Sequence, residues 1–500
     1  MLVSPNHYRT RQGKVDLAFR ALVLFLLVLQ LFVPPALSVA NDHDFEKILG
    51  RLCLGPVPTN GTPYFDYTVL RFTYDPDSCI DWPMRTTNEA VFHAALRLDR
   101  LFYSKTDFDL RFMGIVYGAI FLAGFVTLQQ ALRYLPLRLS ITAQAAWIAV
   151  TCNAVYVPLF NTMYFDALSI ATLTGALASI GIVALRRQVS VNSILTASLW
   201  LGALAGSKGQ HAPVALLCIP ALWVARTAGT GGKPGILAAR FFGSGMILAG
   251  AWLSIGTMPH FYQGEATFNA LFYRILPAAP DPAAYLAETR IPTSWVRYSG
   301  EVAFAEDVPL RDPYYEERFG DWFGPVDLMR LYLRHPSAAW LIARENLDEA
   351  SMDRVRIRMS GVPHRLGNYE ESLGKPPQAV SHFFTFWALA KNAIFGDRPL
   401  VYAAYILMVI GLAWTLAPPD LPMRLLLAVV TLSLAGEFAI CMLDGADGGR
   451  HLTLFSYLLD LLVCCDVVLA MRKFAIKPAA NADTARSPSS GRSSSRRSNS

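Results

Sequence analysis

The stretch "ALVLFLLVLQLFVPPALSVANDHDFEKI", residues 21–48, decides how this chain is read. An apolar run over 21–40 stops at a cluster formed by Asp42, His43, Asp44 and Glu46. A hydrocarbon core about 30 Å thick takes roughly 20 apolar helical residues. The run is therefore a membrane span with three acids and a histidine at its edge. Comparable runs predict further spans at 112–132, 139–160, 166–185, 191–206, 212–225, 236–257, 399–417, 424–442 and 452–471. With 53% hydrophobic and 16% charged residues, the chain is not a string of soluble domains. The fold class expected is an all-α polytopic membrane protein of about ten transmembrane helices.

Two polar segments, 41–111 and 258–398, interrupt the spans. They divide the chain into a basic N-terminus (1–20), helices one to seven with the first polar loop (21–257), the second polar segment (258–398), helices eight to ten (399–471) and a tail (472–500). Lys and Arg in short connections mark the cytoplasmic side. Arg9, Arg11, Lys14 and Arg20, Arg133 and Arg138, Arg186 and Arg187, Arg226, Lys233 and Arg240, Arg424, and Arg472, Lys473 and Lys477 all fall on one side of a ten-span arrangement. Both termini are then cytoplasmic and both polar segments lie outside. The net charge of +6 sits mostly at the two ends and reads as topology, so nucleic acid is not an expected partner. A basic start, an apolar core and "ALSVA" before Asn41 also fit a cleavable signal peptide, which would leave nine spans. The tail "SPSSGRSSSRRSNS" (487–500) cannot bury a core and is expected to be disordered, close to membrane lipids or simply solvated.

Five cysteines, Cys152, Cys218, Cys441, Cys464 and Cys465, lie in or near apolar runs and read as buried small residues. Cys53 and Cys79 sit in the first polar loop, where an oxidising compartment would allow them to pair. In the second polar segment "PVDLMRLYLRHPSAAWLIARENL" has apolar residues at helical spacing with arginines among them, the mix of an interfacial amphipathic helix. The arginines of "MDRVRIRMSGVPHR" (352–365) read as a solvated basic strand, a lipid-facing surface or a phosphate contact. No P-loop, dinucleotide fingerprint, nucleophilic triad or His–Glu metal motif is present.

The polar strings at span ends carry the chemistry: "NDHDF" (41–45), "YFDAL" (164–168), "SKGQHAP" (207–213), "LYLRHP" (331–336) and "GGRHL" (448–452). Together with the architecture of roughly residues 15–475, they resemble the GT-C superfamily of integral-membrane glycosyltransferases, which includes protein mannosyltransferases and aminoarabinose transferases. The resemblance implies an inverting transfer of a sugar from a polyprenyl-phosphate carrier to an envelope glycan, lipid or protein acceptor on the outer face of a bacterial inner membrane. It places a catalytic carboxylate after the first helix, where "DHD" stands in the position of the Asp-Glu pair of those transferases.

A lipid-phosphate sugar already has its leaving group, so the protein must deprotonate the acceptor hydroxyl and hold the departing phosphate. Asp44, or Asp42, is the expected base. The plainer alternative for the pair is a polar helix cap, and a third is a pair of ligands for an optional divalent metal. Tyr164 and Asp166 at the turn between the third and fourth spans are expected to meet sugar hydroxyls, with a helix-capping role as the plainer alternative. Lys208 and His211, between two short spans, and Arg450 and His451, at the start of the last span, are expected to meet the carrier phosphate. Snorkelling to headgroups is the alternative for Lys208. Asp444 and Asp447 stand near Arg450 as partners or as loop polarity. Glu437, Asp460 and Asp466 lie inside spans and should face the protein interior. A lipid-glycan transporter or flippase, or a non-catalytic assembly partner, is the alternative function. No internal repeat supports it.

Overall fold

The computed structural model describes residues 5–34, 36–39, 41, 44–56, 69–80, 82–185, 189–224, 233–351, 356–359, 362–365, 386–445 and 448–475. Asp42, His43, Arg186, Arg187, Arg226, Asp447, residues 352–355 and 360–361 of the arginine stretch and the 476–500 tail lie outside them.

The first helix, α1 (Pro5–Leu31), begins in the basic N-terminus and ends well before residue 40. The expected 21–40 span is thus displaced toward the N-terminus. Pro34 and Pro35 explain it, because a proline disfavours helical backbone at the residue before it. Residues 36–39, which follow the prolines, are buried and tied down by side chains. Asn161 donates to the carbonyls of Leu31 and Leu37 at 2.9 Å each, and Ser38 donates to the Asn161 carbonyl at 2.6 Å.

In the first polar loop, α2 (Glu46–Leu52) leads into β1 (Leu54–Pro56), which pairs with β2 (Arg71–Tyr74). The amphipathic α3 (Asn88–Phe102) follows, and β3 (Asp107–Asp109) completes an antiparallel sheet of order β1-β2-β3. Cys53 and Cys79 form a disulfide in this loop.

The bundle continues with α4 (Arg111–Leu132), α5 (Leu137–Thr151), α6 (Asp166–Leu185) and α7 (Val191–Ala205). A break at 206–211 separates α7 from the short α8 (Ala212–Leu216) and α9 (Ile219–Val224), and α10 (Lys233–Gly256) closes this half. The most enclosed helix is α6, and glycines let its neighbours approach. A Cβ at Gly124 of α4 would stand 3.2 Å from the Gly175 amide of α6, and one at Gly250 of α10 would stand 2.4 Å from the Gly202 carbonyl of α7. Small residues at such crossings allow helices in lipid to pack backbone to backbone.

The second polar segment is helical and has a core of its own, built on Phe268, Phe272, Trp295, Phe319, Leu328 and Ile342. Its elements are α11 (His260–Phe268), a π-helical turn Asn269–Ile275, α12 (Leu276–Ala278), α13 (Pro282–Ala287), α14 (Pro313–Trp322), α15 (Pro325–Arg334) and α16 (Pro336–Ser351). The amphipathic run anticipated over 325–347 is two helices, because Pro336 ends the first at His335. A short hairpin, β4 (Arg356–Met359) with β5 (Val362–Arg365), precedes α17 (Phe386–Phe395). The last helices are α18 (Pro399–Leu416), α19 (Leu421–Cys441), α20 (Gly448–His451) and α21 (Thr453–Ala475).

Six of the described helices, α4, α6, α10, α18, α19 and α21, are long and apolar enough to cross a membrane. The expected count of about ten is not met on that measure. Each remaining run is helical but falls short for a local reason. The α5 run loses its helix at Cys152–Asn153, α7 (15 residues) and the α8–α9 stretch are too short, and α1 carries Lys14, Asp16 and Arg20. Asp16 is nonetheless buried, accepting from Gln144 at 3.2 Å with Arg133 3.6 Å away, so α1 is fastened to α4 and α5 by a polar network.

Glu437, Asp460 and Asp466 are all buried, as their positions inside apolar runs anticipate. Asp460 of α21 is clamped by Lys391 of α17 at 3.0 Å and by the Tyr156 hydroxyl at 2.7 Å. Removing one partner of a buried pair leaves an uncompensated charge, at a cost of about 3–5 kcal/mol. Lys391→Met is expected to lower the thermal unfolding midpoint in detergent sharply, and Lys391→Met combined with Asp460→Asn should recover most of the loss. Equal midpoints for the two variants would show that the pair has no such role.

Candidate active site

The break between α7 and α8 is where charge enters the bundle. Its free backbone groups are met by α3 from the polar loop: Thr87 Oγ1 donates to the Ala203 carbonyl at 2.8 Å, and Asn88 Nδ2 to the Ser207 carbonyl at 2.7 Å. Ser254 of α10 donates to the Ala205 carbonyl at 2.7 Å. Irregular backbone inside a bundle is tolerated when protein groups satisfy it in this way.

Within the break, Lys208 Nζ lies 2.9 Å from Asp166 Oδ1 at the start of α6, so Lys208 is paired with the bundle instead of reaching for headgroups. His211 is fully buried, with Nε2 3.3 Å from the same Asp166 oxygen and Nδ1 2.9 Å from Glu437 Oε2 of α19. Both ring nitrogens therefore face carboxylates. Two such hydrogen bonds require a doubly protonated ring or a proton on one of the acids. Lys208, Asp166, His211 and Glu437 form a connected polar chain through α6, the break and α19.

The neighbouring residue, Gln210, extends this chain to the last helices by donating to the His451 carbonyl at 2.9 Å. His451 Nδ1 is 2.7 Å from Asp444 Oδ2. The loop before α20 is pressed on the second polar segment, since a Cβ at Gly445 would lie 2.4 Å from the Ala270 amide nitrogen. Tyr332 of α15 adds a 2.7 Å hydrogen bond to the Met442 carbonyl.

These contacts present Arg450 to the polar loop, where it forms an ion pair with Asp44 Oδ2 while its guanidinium lies 4.5 Å from the centre of the Tyr164 ring. Phe45 meets the same ring edge-on at 4.9 Å. The other Asp44 oxygen, Oδ1, pairs with Lys47, whose ammonium sits 4.3 Å over the ring of Tyr262 on α11. Burial would raise the Asp44 carboxyl, but Arg450 and Lys47 outweigh it and hold the group well below the usual carboxylate range. Burial likewise works against the Lys47 charge, and Asp44 with Tyr262 raises it above the ordinary lysine value.

Of the residues expected from sequence, Asp44, Tyr164, Asp166, Lys208, His211, Arg450 and His451 belong to this connected cluster. Asp42 lies outside the described residues. His335 stands apart from the cluster, 2.9 Å from Glu288 and stacked on Tyr285. Among the described residues no group of three His, Cys, Asp or Glu side chains is arranged to hold a metal. Asp44, one of the two residues considered for that role, directs its oxygens to Lys47 and Arg450.

Residues 8–487 match the model described as the YfdI N-terminal transmembrane domain. The chain belongs to that family. It is a multi-pass membrane protein whose family segment takes in nearly the whole sequence, both polar segments and the charged cluster included. No curated protein and no solved structure matches it.

Three participants escaped sequence reasoning. Lys47 stands three residues after Asp44, and that i, i+3 spacing was the available signal. Glu437 reads from sequence as an interior acid, but nothing there points to His211 as its partner. Tyr262 and Glu265, on α11, come from a segment more than 200 residues away and gave no local signal. Burial pushes the Glu265 carboxyl up to about 7, with Lys47 opposing and Glu316, Asp44 and Asp444 adding to the rise. The folded protein thus holds this proton more tightly than the unfolded chain does, and stability falls as pH climbs from the ordinary value of 4.5 to about 7. Glu265→Gln is expected to match wild type in thermal stability at pH 4 and to exceed it at pH 8. Asp44→Asn has the opposite sense. The lowered Asp44 pKa contributes stability at neutral pH that is lost as pH falls through the acid range, so this variant should be weaker at pH 7 and converge with wild type in acid. Melting curves across pH check both.

Proposed function

We propose that this protein is an inverting glycosyltransferase of a bacterial inner membrane, moving a sugar from a polyprenyl-phosphate carrier to an envelope glycan, lipid or protein. The observation carrying the proposal is the arrangement at Asp44, a carboxylate shared between two cations next to a buried Lys–Asp–His–Glu chain. Membership of a glycosyltransferase-like membrane family supports it. The Cys53–Cys79 disulfide supports an oxidising, extracytoplasmic location for the polar loop that carries Asp44. With the basic connections it favours cytoplasmic termini. The packing of α1 into the bundle favours its retention over cleavage.

In this reading the carrier phosphate takes Arg450 away from Asp44 Oδ2, with Lys208 adding positive charge from the bundle. Arginine grips phosphate through paired N–H groups, and lysine acts on it as a point charge. Asp44, having lost one cation, becomes more basic and accepts the proton of the acceptor hydroxyl. The hydroxyl oxygen then attacks the anomeric carbon from the face opposite the phosphate. The bond from that carbon to the phosphate oxygen breaks, and the leaving group keeps the electron pair. Tyr164 and Asp166 border the path of the sugar, while His211 and Glu437 hold Asp166 and Lys208 in place. No step in this sequence passes through a metal ion.

A positioned general base contributes about 10²–10⁴-fold. Asp44→Asn, at normal expression, is expected to lose transfer by that factor. Mass spectrometry of envelope glycans and polyprenyl-phosphate sugars should then show one decoration missing and its lipid-linked donor accumulating. Arg450→Ala should give the same loss. If both variants keep the decoration while a deletion loses it, the protein is instead a transporter or an assembly partner for lipid-linked glycans.

A further inference from the structure

Asp44 has two flanks of different character. Its Oδ2 oxygen faces Arg450, which stacks on Tyr164 and joins the bundle. Its Oδ1 oxygen faces Lys47, which sits over Tyr262 of the second polar segment. Beyond Tyr262 the aromatic surface continues. Phe261 stacks beside it with ring centres 5.3 Å apart, and Trp82 of the polar loop meets Phe261 edge-on at 5.9 Å. All three rings are partly exposed.

One turn along α11 from Tyr262 stands Glu265, half-buried and without a hydrogen bond or ion pair among the described residues. Lys47, Asp44, Asp444 and Glu316 all lie within electrostatic reach of it. Glu316 is brought near because α11 and α14 approach at glycines, a Cβ at Gly264 standing 3.2 Å from the Gly320 amide. An unpaired carboxyl beside a lysine, next to a cluster of partly exposed aromatic rings, has the chemistry of a sugar site. Ring faces cover the apolar C–H face of a pyranose, while a few fixed polar groups take its hydroxyls.

We propose that Trp82, Phe261, Tyr262 and Glu265, with Lys47, form a binding subsite for a pyranose residue of a glycan acceptor. This rests on the transfer reaction proposed above. Inversion requires the incoming hydroxyl and the leaving phosphate on opposite faces of the anomeric carbon, and the two oxygens of Asp44 open onto two different flanks. The phosphate belongs with Arg450 on the bundle flank, which leaves the Lys47–Tyr262 flank for the acceptor's sugar ring, its reacting hydroxyl reaching past Lys47 to the Oδ2 oxygen that Arg450 has left. Glu265 accepts from or donates to a sugar hydroxyl, and it is the group that discriminates between sugars. A site built to hydrogen-bond a hydroxyl rejects an analogue lacking it far more strongly than a purely apolar shelf does.

The test uses the full chain in lipid nanodiscs and needs no donor. Saturation-transfer NMR would be recorded with methyl pyranosides of the gluco, galacto, manno and rhamno series, and with oligosaccharides released from the producing cell's envelope by mild acid. Wild type is expected to bind at least one of these sugars. Phe261→Ala and Glu265→Gln should each weaken that binding at least fivefold, and Arg450→Ala should leave it intact. No sugar binding by wild type overturns the proposal, as does undiminished binding by both Phe261→Ala and Glu265→Gln. Glu265→Gln guards against a folding artefact, since it removes a half-buried acid and keeps the side-chain shape. If the sugar contacts behave as expected while a deletion strain shows an unchanged glycan profile, the subsite stands and the transfer reaction falls.

Discussion

The structure depends on one buried carboxylate, Asp166, and the cations gathered on it. Lys208 and His211 come from a stretch where the helix between α7 and α8 is interrupted, and a break of this kind within a bundle frees backbone groups and exposes charge. Asp166 neutralises Lys208 directly and shares His211 with Glu437. The break is therefore stitched to α6 on one side and to α19 on the other. Without Asp166, Lys208 would be left as a charge with its ion partner gone, and His211 would lose one of its two acceptors. Partly satisfied polar clusters of this kind are more damaging than an apolar core.

From this point the constraint propagates outward. Gln210, next to His211, holds the His451 carbonyl and so fixes the register of α20. Arg450, one residue earlier, is then held against Tyr164, two residues before Asp166. The polar loop is locked to the same break from above, because Thr87 and Asn88 satisfy its carbonyls. Asn88 also accepts from the Tyr117 hydroxyl of α4 at 2.9 Å. The two polar segments and the helices are thus joined through one irregular backbone stretch, and the ion pairs of Asp44 lie where they meet.

Much of this was legible in the sequence because apolar periodicity and charge placement are local properties. The runs at 112–132, 166–185 and 236–257 became helices within a few residues of their expected bounds, and the "SKGQHAP" break fell where half-length runs left room for it. Span lengths were less legible. Apolarity counts residues suited to lipid, but Pro34, Pro35 and Asn153 decide where a helix stops. Side chains such as Leu159 and Phe160 remain buried on a short 3-10 helix, Val157–Asn161, beyond the break. The candidate cluster was half visible. Single polar residues inside or beside apolar runs, Asp166, Lys208, His211 and Arg450, draw attention because each is expensive in lipid. Tyr262 and Glu265 do not, because an aromatic and a glutamate on a short polar helix are ordinary there. Only the folded contact with Lys47 makes them part of the same cluster.

The state of Asp44 bears on how a transferase of the proposed kind would tie the strength of its base to the arrival of its donor. A carboxylate held between Arg450 and Lys47 is a weak base, since each cation stabilises the ionised form it would have to give up. Its basicity rises only when another anion takes one of those cations, and in the proposed reaction that anion is the carrier phosphate itself. The remaining partner, Lys47, keeps Asp44 anchored through Oδ1 while Oδ2 is released. Such an exchange gains specificity from charges already present, because a neutral molecule has no means of drawing Arg450 away. In the proposed reaction the ion pair that most weakens Asp44 as a base is also the one that links its activation to the arrival of the donor.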